Sequence, residues 1–219
     1  MPTSRHERAL RRAGSNVIAG LDEAGRGALF GPEFAAAVVL DPERPIRGLD
    51  DSKQLEPERR EVLAARIRER ARAWAVAACD AFEIDRWNIL EASRLAMQRA
   101  VGLLGVPCDY LLIDALRLDL PIPQKALIRG DSLCFSIAAA SILAKTARDS
   151  ALNAWDEVFP RYGLAHNKGY GTPDHLAALE RLGPTSLHRF SFEPVRLASP
   201  VDAWTGYPVP RQGELFACP

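Results

Sequence analysis

Three aspartates stand at or just beyond the ends of apolar runs, where a carboxylate needs a partner. Asp22 ends one run, Asp114 ends another, and Asp131 follows a third. Burying a carboxylate without a partner is costly, so acids at such positions normally meet a cation or hydrogen-bond donors. Mg²⁺ and Mn²⁺ prefer oxygen ligands, and two such ions can activate water for phosphodiester hydrolysis. These aspartates are therefore candidate ligands of a divalent metal.

Taken singly, two of these acids have simpler interpretations that stay open. Asp131 precedes Ser132 and an apolar stretch, so its carboxylate could serve only the N-terminus of a helix. Asp114 could be an ordinary acid at the end of a strand. Spacing along the chain does not by itself bring three strand ends together, so the residues alone make the metal site a hypothesis.

The turn after Glu23 contains Gly25-Arg26-Gly27. Glycines let a backbone approach a ligand and point its N–H groups at phosphate or sugar oxygens, and arginine adds a planar fork of donors. A dinucleotide-binding loop would have a different glycine spacing and a helix after it, whereas residues 34–40 have the pattern of a strand. A plain hairpin turn would explain the two glycines but not the acid pair beside them.

The apolar pattern predicts five strands with helices between them. The predicted strands cover residues 16–22, 34–40, 73–83, 110–114 and 124–130. The predicted helices cover residues 57–72, 86–101, 133–147, 148–158 and 173–182. Strands first and helices mixed between them indicate an α/β layer fold with a small helical C-terminal part.

The length of 219 residues allows one sizeable core. We expect three segments along the chain. They are an N-terminal extension over residues 1–15, the main domain with its helical C-terminal lobe over residues 16–198, and a proline-punctuated tail over residues 199–219.

Composition restricts the class of partner only weakly. Lys plus Arg and Asp plus Glu both number 28, so the formal net charge is zero, whereas nucleic-acid binders usually carry a basic excess. A neutral total can still conceal a basic groove. The sequence has neither an apolar run long enough for a bilayer nor a signal-peptide pattern. With four cysteines and no C-x-x-C spacing, we expect free thiols, a cytoplasmic location and no membrane partner.

Ordered motifs over roughly residues 16–193 resemble ribonuclease HII. One motif could arise by chance, but the ordered set is very specific. The set comprises Gly20-Leu21-Asp22-Glu23-Ala24-Gly25-Arg26-Gly27 with Gly31-Pro32, Asp51-Ser52-Lys53-Gln54-Leu55, Ile113-Asp114-Ala115, Gly130-Asp131-Ser132, the run from Ser136 to Lys145, Arg148-Asp149, the run from His166 to Thr172, His188-Arg189 and Ser191-Phe192.

The resemblance implies a ribonuclease H-like fold, with a mixed five-stranded sheet, flanking helices and a small helical C-terminal lobe. It also implies an endonuclease that hydrolyses the RNA strand of RNA–DNA hybrids. Such an enzyme cuts on the 5′ side of ribonucleotides embedded in duplex DNA and leaves a 3′-hydroxyl and a 5′-phosphate. Catalysis would use two ions of Mn²⁺ or Mg²⁺.

Roles for individual residues also follow from the resemblance. Metal binding and catalysis are assigned to Asp22, Glu23, Asp114 and Asp131. The backbone of Gly25, Arg26 and Gly27 is assigned to the 2′-hydroxyl, the group that separates RNA from DNA, and Tyr170 to packing on the sugar. The sister type-three enzymes have a longer N-terminal extension and usually a lysine in place of Arg26, so the chain is similar to type two.

Other polar residues are secondary candidates. Ser141 and Lys145 lie four residues apart on one predicted helix and could both meet a phosphate, as could Lys53. Lys53 and Lys168 could instead be solvated loop charges. Three histidines lack zinc-ligand spacing, and we interpret them as structural or substrate-rim residues, with proton transfer as the alternative. They are His166, His175 and His188.

Glu23 poses a geometric difficulty for the metal site. Adjacent residues of a regular strand point to opposite faces, so Asp22 and Glu23 cannot both direct side chains at one ion. We therefore predict that the strand ends or bends at Glu23, or that Glu23 also contributes its backbone carbonyl.

The tail contains Gln212-Gly213-Glu214-Leu215-Phe216. This pattern resembles the short Gln-x-x-Leu-Phe peptides by which bacterial replication and repair proteins dock on the DNA sliding clamp. A Leu-Phe anchor on an extended arm suits a hydrophobic pocket, so the resemblance assigns clamp binding to Gln212, Leu215 and Phe216. The alternative is a tail that folds back and covers the body with its aromatic side chains.

Two other functions stay open beside the endonuclease. The first is a catalytically inactive hybrid-binding module on the same fold, although gathered negative charge would weaken binding to phosphates. The second is a Mg²⁺-dependent phosphatase, which would not need the Gly-Arg-Gly turn together with Tyr170. We expect the chain to act as a monomer.

Overall fold

The computed structural model describes residues 1–199. Five strands are present: β1 Ile18–Ala24, β2 Glu33–Val39, β3 Ala73–Cys79, β4 Tyr110–Asp114 and β5 Gln124–Leu127. The helices are α1 Arg5–Arg12, α2 Pro57–Arg70, α3 Ala81–Trp87, α4 Ile89–Gly102, α5 Phe135–Val158, α6 Leu164–Asn167, α7 Pro173–Leu182 and α8 Glu193–Leu197. Short 3₁₀ turns cover Ser52–Gln54, Gly130–Ser132 and Pro160–Tyr162.

The strands form one mixed sheet in the order β3-β2-β1-β4-β5. Strand β1 pairs with β2 in antiparallel fashion and with β4 in parallel, and β4 pairs with β5 in parallel. The predicted α/β fold with a mixed five-stranded sheet is confirmed. Parallel strands end at the same edge of a sheet, so the topology brings the ends of β1 and β4 together.

The chain divides into two compact units. The first comprises residues 1–24, 34–78 and 93–147, and the second comprises residues 25–33, 79–92 and the described chain beyond residue 147. The segment boundaries expected from the sequence stay predictions. Residues 200–219, which contain nearly all of the expected tail, lie outside the described residues.

Helix α5 packs closely on the sheet in the first unit because glycine and alanine remove the side chains that would separate them. A Cβ atom added to Gly20 in β1 would lie 2.1 Å from the carbonyl carbon of Ser136. Ala139 and Ala140 of the same helix are fully buried in a cluster with residues of β2 and α2. Close backbone packing of this kind tolerates no added methyl group.

The second unit has its own apolar core. It contains residues of the turn after β1, of α5 beyond residue 147, and of the C-terminal helices. Its buried members are Leu29, Phe30, Leu152, Tyr162, Leu164, Ala178, Leu179 and Val195. The fully buried ring of His188 lies edge-on to Phe30, with 4.9 Å between ring centroids.

Several element boundaries differ from those predicted. The strand predicted over residues 73–83 ends at Cys79, because Asp80 forms a capping box with Glu83 and begins α3. The helices predicted over residues 133–147 and 148–158 are one continuous helix, α5. The N-terminal extension contains helix α1, which the sequence analysis did not predict. Within the described part of the chain, no helix is both long enough and apolar enough to cross a bilayer.

Gly20→Ala tests the close packing of α5 on β1. Because the new methyl group would overlap backbone atoms of Ser136, we expect a loss of about 3 kcal/mol or more in the free energy of unfolding. Gly102→Ala is the matched control, since nothing lies within 4 Å of its added Cβ atom and alanine favours the helix. Urea denaturation of both variants measures the difference, and a neutral Gly20→Ala would contradict the packing.

Candidate active site

Asp22 and Asp114 are neighbours at the ends of two parallel strands. Leu21 of β1 pairs with Ile113 of β4, so the next residue of each strand, Asp22 or Asp114, continues the same register. Neighbouring strands lie about 4.8 Å apart, and residues in register direct their side chains to the same face. Asp22 is buried and Asp114 is half-buried. The fold therefore brings together two acids that are far apart in the chain.

Asp131 is tied to this pair through Gly130. The Gly130 N–H donates a hydrogen bond of 2.6 Å to Oδ1 of Asp114, and Asp131 is the next residue in the same 3₁₀ turn. A Cβ atom on Gly130 would lie 2.6 Å from Cδ1 of Ile137 and 3.3 Å from Oδ1 of Asp114. Glycine at this position therefore permits the close approach that carries Asp131 to the sheet edge.

Strand β1 does not end at Glu23, so that alternative of the prediction was wrong, whereas a bend at Glu23 stays a prediction. Strand β1 continues through Ala24, because β2 supplies regular partners for its last residues, with Glu23 opposite Ala35 and Ala24 opposite Phe34. Adjacent residues of a regular strand point to opposite faces, yet the charge of Glu23 raises the pKa of Asp22, so the two carboxylates lie close enough to interact. A contribution of the Glu23 backbone carbonyl stays a prediction. The N–H of Glu23 donates 2.8 Å to Oδ1 of Asp22 and so orients that carboxylate.

Burial and neighbouring carboxylates raise the pKa of Asp22 and of Asp131. Burial raises the pKa of Asp22 well above its usual value, and the charges of Glu23 and Asp114 raise it further. Burial also raises the pKa of Asp131, followed by the charges of Asp51 and Asp114. Such mutual repulsion is what a divalent cation would relieve.

Asp51 is an acid of this cluster to which the sequence analysis gave no role. It lies directly before the turn Ser52–Gln54, where its Oδ1 accepts a 2.9 Å bond from the Lys53 N–H. Its influence on the pKa of Asp131 shows that the two carboxylates are close. The signal was present in the sequence, because Asp51 opens one of the motifs of the family resemblance.

Ser141 holds Asp22 from the helix side. Its side chain makes a hydrogen bond that lowers the pKa of Asp22, and its Oγ lies 2.8 Å from Oγ of Ser52. Both serines are buried, so Ser141 acts on the neighbouring carboxylate in this arrangement. Lys53 is exposed and Lys145 is half-buried. The substrate roles of Lys53, Ser141 and Lys145 stay predictions.

The chemistry of these donors fits Mg²⁺ or Mn²⁺. Among residues 1–199, no three Asp, Glu, His or Cys side chains already converge into a ready ligand shell. The acids nevertheless offer only oxygen donors, and each carboxylate has acceptor sites beyond the hydrogen bonds described above. Gathered negative charge with oxygen ligands suits a hard divalent cation.

In the second unit, two fully buried arginines hold the turn that contains Gly25-Arg26-Gly27. Arg189 donates from Nε to the carbonyl of Gly31 at 2.9 Å and from Nη1 to the carbonyl of Arg26 at 3.0 Å. The guanidinium of Arg148 donates to three backbone carbonyls, at 3.2 Å for Phe30, at 2.9 Å for Lys168, and also for Pro32. The turn is therefore fixed through its carbonyl groups.

The structure requires glycine at the first of the two glycine positions in this turn but not at the second. Gly25 has a φ of +100°, and a Cβ atom there would lie 2.5 Å from Nε of Arg148. Backbone conformation and space therefore both demand glycine at this position. A Cβ atom on Gly27 would meet nothing within 4 Å. Because packing does not require Gly27, its backbone is open to approach by a ligand.

Tyr170 lies against Arg148 in the same unit, with 5.8 Å between the guanidinium carbon and the ring centroid. Its backbone carbonyl interacts with Nδ1 of the buried His175 at 2.9 Å. Burial, followed by the charge of Arg148, lowers the pKa of Arg189 to about 9. The sequence analysis placed both arginines in the resemblance but gave them no role, because hydrogen bonds to distant carbonyls leave no signal in spacing.

The histidines of the second unit include two that support the core. Burial, followed by the charge of His175, lowers the pKa of His188 to about 3, so its ring stays neutral at physiological pH. Nδ1 of His188 accepts a 2.9 Å bond from the Thr185 N–H. These contacts favour the structural interpretation of His175 and His188 over proton transfer, whereas His166 is exposed.

Comparisons with known proteins agree with this geometry. The family model of ribonuclease HII matches residues 19–195. A ribonuclease HII from Solibacter usitatus is 63% identical over 193 residues, covering 88% of this chain and 85% of that protein. The crystal structure of ribonuclease H2 from Pyrococcus horikoshii matches with a TM-score of 0.73 and 25% identity, over 84% of this chain and 97% of that one. The RNase HII of Archaeoglobus fulgidus, solved in a complex with PCNA, matches with a TM-score of 0.70 and 26% identity, over 83% and 96%.

Asp22→Asn should stabilise the metal-free protein at neutral pH. Because the pKa of Asp22 is raised, its contribution to stability is complete below the unfolded pKa, near 3.9, and is lost as pH rises through the folded pKa. Removing a charge that is buried and repelled should gain about 1 kcal/mol or more, or roughly 2–4 °C in Tm. Thermal unfolding at pH 4 and pH 8 checks this, with a larger gain expected at pH 8.

Asp109→Asn is the control, because its effect on stability at pH 8 should have the opposite sign to that of Asp22→Asn. Hydrogen bonds from the N–H groups of Val17 and Asn16 lower the pKa of Asp109, so its carboxylate favours the folded state above the unfolded pKa. This variant should lose stability at pH 8 relative to pH 4. A lower Tm for Asp22→Asn than for the wild type at pH 8 would contradict the electrostatic account of the site.

Proposed function

We propose that this chain cuts RNA–DNA hybrids with metal ions held by carboxylates at one edge of its sheet. The chain belongs to the ribonuclease HII family and is a ribonuclease H endonuclease. The proposed substrates include duplex DNA with a single embedded ribonucleotide, cut on its 5′ side to leave a 3′-hydroxyl and a 5′-phosphate. One observation carries the proposal. Asp22 and Asp114 each follow directly on the paired residues Leu21 and Ile113 of β1 and β4, and Gly130 ties Asp131 to Asp114.

We assign metal binding to Asp22, Glu23, Asp114 and Asp131. Mn²⁺ or Mg²⁺ bound there would supply an activated water and stabilise the leaving 3′ oxygen. The protein's own part is to hold the carboxylates in place before substrate arrives. The N–H of Glu23 and the side chain of Ser141 orient Asp22, and the Gly130 N–H orients Asp114. Groups fixed in this way need little reorganisation during reaction.

We assign recognition of the ribose to the backbone of Gly25, Arg26 and Gly27. A single residue separates this turn from Glu23. Its glycines therefore lie close in sequence to the proposed metal ligands Asp22 and Glu23. Arg148 and Arg189 fix the turn through its carbonyls, which suits recognition by preorganised backbone donors. Discrimination between RNA and DNA requires such donors at the 2′-hydroxyl.

The remaining assignments concern the sugar and the phosphates. Tyr170 is proposed to pack on the sugar at the RNA–DNA junction, and its contact with Arg148 supports a fixed ring. Lys53 and Lys145 are proposed phosphate contacts. Ser141 is the weaker substrate candidate, because its burial and its bond to Ser52 favour support of Asp22.

A cleavage assay on a labelled duplex with one embedded ribonucleotide tests the function. We expect a single cut 5′ of that ribonucleotide, dependent on added Mn²⁺ or Mg²⁺. Asp22→Asn and Asp114→Asn should each lower kcat by about a thousandfold or more, because they remove groups that act as a unit. The exposed Asp119→Asn is the matched control and should leave kcat unchanged.

The same variants separate the enzyme from an inactive binding module. Asp22→Asn should keep its affinity for the uncut hybrid, since the substitution removes negative charge and leaves the turn of the second unit intact. Absence of a metal-dependent cut at the ribonucleotide would refute the endonuclease. Cleavage that survives in Asp22→Asn would refute the assignment of the site.

We also propose that the chain docks on the DNA sliding clamp through Gln212, Leu215 and Phe216. These residues lie outside the described part of the chain, so their sequence pattern supports the proposal. The complex of PCNA with RNase HII from Archaeoglobus fulgidus shows that a related structure associates with a clamp. The proposed setting is the cytoplasm, supported by the free thiols of Cys79 and Cys108, and the proposed form is a monomer.

Replacing Leu215 and Phe216 together by alanine tests the docking. If the pair anchors in a hydrophobic pocket, clamp affinity in a calorimetric titration should fall by about a hundredfold, since two buried anchors are lost. Glu214→Ala is the matched control, because the Gln-x-x-Leu-Phe pattern leaves that position open. Equal affinity of the double variant and the wild type would rule out this motif as the anchor.

A further inference from the structure

The N-terminal segment of the first unit contacts the chain immediately after Asp131. The Thr3 N–H donates to the carbonyl of Leu133 at 3.1 Å, and the Phe135 N–H donates to the carbonyl of Thr3 at 3.3 Å. These two bonds form a parallel bridge between Thr3 and Cys134. A segment more than a hundred residues away in sequence therefore fixes the backbone that joins the proposed ligand Asp131 to α5.

Glu7 of helix α1 adds a buried carboxylate to this contact. Its side chain is 3% exposed, and Oε1 accepts a 2.8 Å bond from the Ser136 N–H and a 3.1 Å bond from Sγ of Cys134. Burial, followed by the charge of Glu7, raises the pKa of Cys134 to about 12, which keeps the thiol protonated as a donor. Among the described residues, Oε2 of Glu7 has no hydrogen-bond partner.

The position of Glu7 corresponds to that of a helix cap supplied by another part of the chain. Ser136 is the second residue of α5, where a backbone N–H has no acceptor within the helix. A carboxylate at a helix N-terminus also interacts favourably with the helix dipole. Leu10, one turn further along α1, packs on the cluster that contains Leu112 and Ile137 and so anchors the helix.

Burying a carboxylate in this way carries a desolvation cost that an apolar side chain would avoid. The bonds formed by Glu7 converge on residues 134–136, which follow Asp131 after only two residues. The turn that carries Asp131 is itself short, with the Leu133 and Cys134 N–H groups both donating to the Gly130 carbonyl. Its position therefore depends on what holds its C-terminal side.

We propose that Glu7, together with the Thr3 bridge, is a positioning residue that holds the Asp131 turn in the geometry needed to bind metal. Glu7 touches neither metal nor substrate in this role, and acts through the start of α5. The inference rests on the proposed function, because it takes Asp131 as a ligand. It assigns a catalytic purpose to an N-terminal segment that lies before the first strand.

Glu7→Ala and Glu7→Gln, compared in the metal-free protein and on Mn²⁺ titration, test the proposal. Glutamine keeps an acceptor for the Ser136 N–H, so Glu7→Gln should bind Mn²⁺ about as the wild type does. Glu7→Ala should bind Mn²⁺ about tenfold more weakly, the usual scale for loss of a group that orients a ligand. Free Mn²⁺ measured by electron paramagnetic resonance gives the affinity without relying on activity. Arg8→Ala, at an exposed position of the same helix, is the matched control.

Hydrogen exchange distinguishes positioning from a general loss of stability. In metal-free Glu7→Ala, amides of residues 132–137 should exchange faster while those of β1 and β4 stay protected. If Glu7→Ala does not fold, Thr3→Pro replaces it, since proline removes the N–H that bonds Leu133. Thr3→Pro should weaken Mn²⁺ binding in the same way.

The outcomes separate this inference from the proposed function. A wild-type protein that shows no metal-dependent cleavage would overturn both. A wild-type protein that cleaves, with unchanged Mn²⁺ affinity in the folded variant tested, would overturn the positioning role alone. Weaker binding in Glu7→Ala that Glu7→Gln restores, with faster exchange confined to residues 132–137, supports it.

Discussion

Repulsion between carboxylates is the constraint on which the first unit depends. Asp114 ends β4, Asp22 lies two residues before the end of the adjacent parallel strand β1, and Asp131 is tied to Asp114 through Gly130. Burial and like charge both oppose ionisation of Asp22, as its raised pKa shows. The surrounding N–H and hydroxyl donors offset only part of the free-energy cost of ionising Asp22. A divalent cation would neutralise the remaining negative charge. The arrangement therefore lowers the stability of the metal-free protein and raises its affinity for metal.

Glycines and small residues make this arrangement geometrically feasible. Gly20 lets the backbone of α5 lie against β1, which brings Ser141 of that helix within hydrogen-bonding distance of Asp22. Gly130 lets the Asp131 turn approach Asp114. In the second unit, Gly25 gives space to the buried guanidinium of Arg148. Each glycine is therefore explained by a particular close contact, and a side chain at any of these positions would displace backbone or a polar group that holds the site.

The sequence identified candidate metal ligands more readily than the hydrogen bonds and strand pairing that position them. Acids at or near the ends of apolar runs made Asp22 and Asp114 candidates, but spacing did not bring them together, and it is the parallel pairing of β1 with β4 that places them at one edge. The strand end offered as one alternative at Glu23 was wrong, since pairing with β2 over the last residues of β1 depends on a partner strand that local pattern does not specify. Glu7 was not singled out and Arg148 was given no role for the same reason, because their partners include backbone groups of distant segments.

These hydrogen bonds between segments far apart in sequence have the same physical role. The charged side chains of Glu7, Arg148 and Arg189 are buried and bond to distant segments, Glu7 at the start of α5 and the two arginines at backbone carbonyls of the turn that contains Gly25. A strand is held by its neighbours in the sheet, whereas a turn such as Gly130–Ser132 or the one containing Gly25 has few bonds of its own. A turn that is bonded to a buried charge resists displacement, because any movement of the turn would leave the charge without hydrogen-bond partners. Rigid placement of the turns is thus obtained from side chains that never need to touch the substrate.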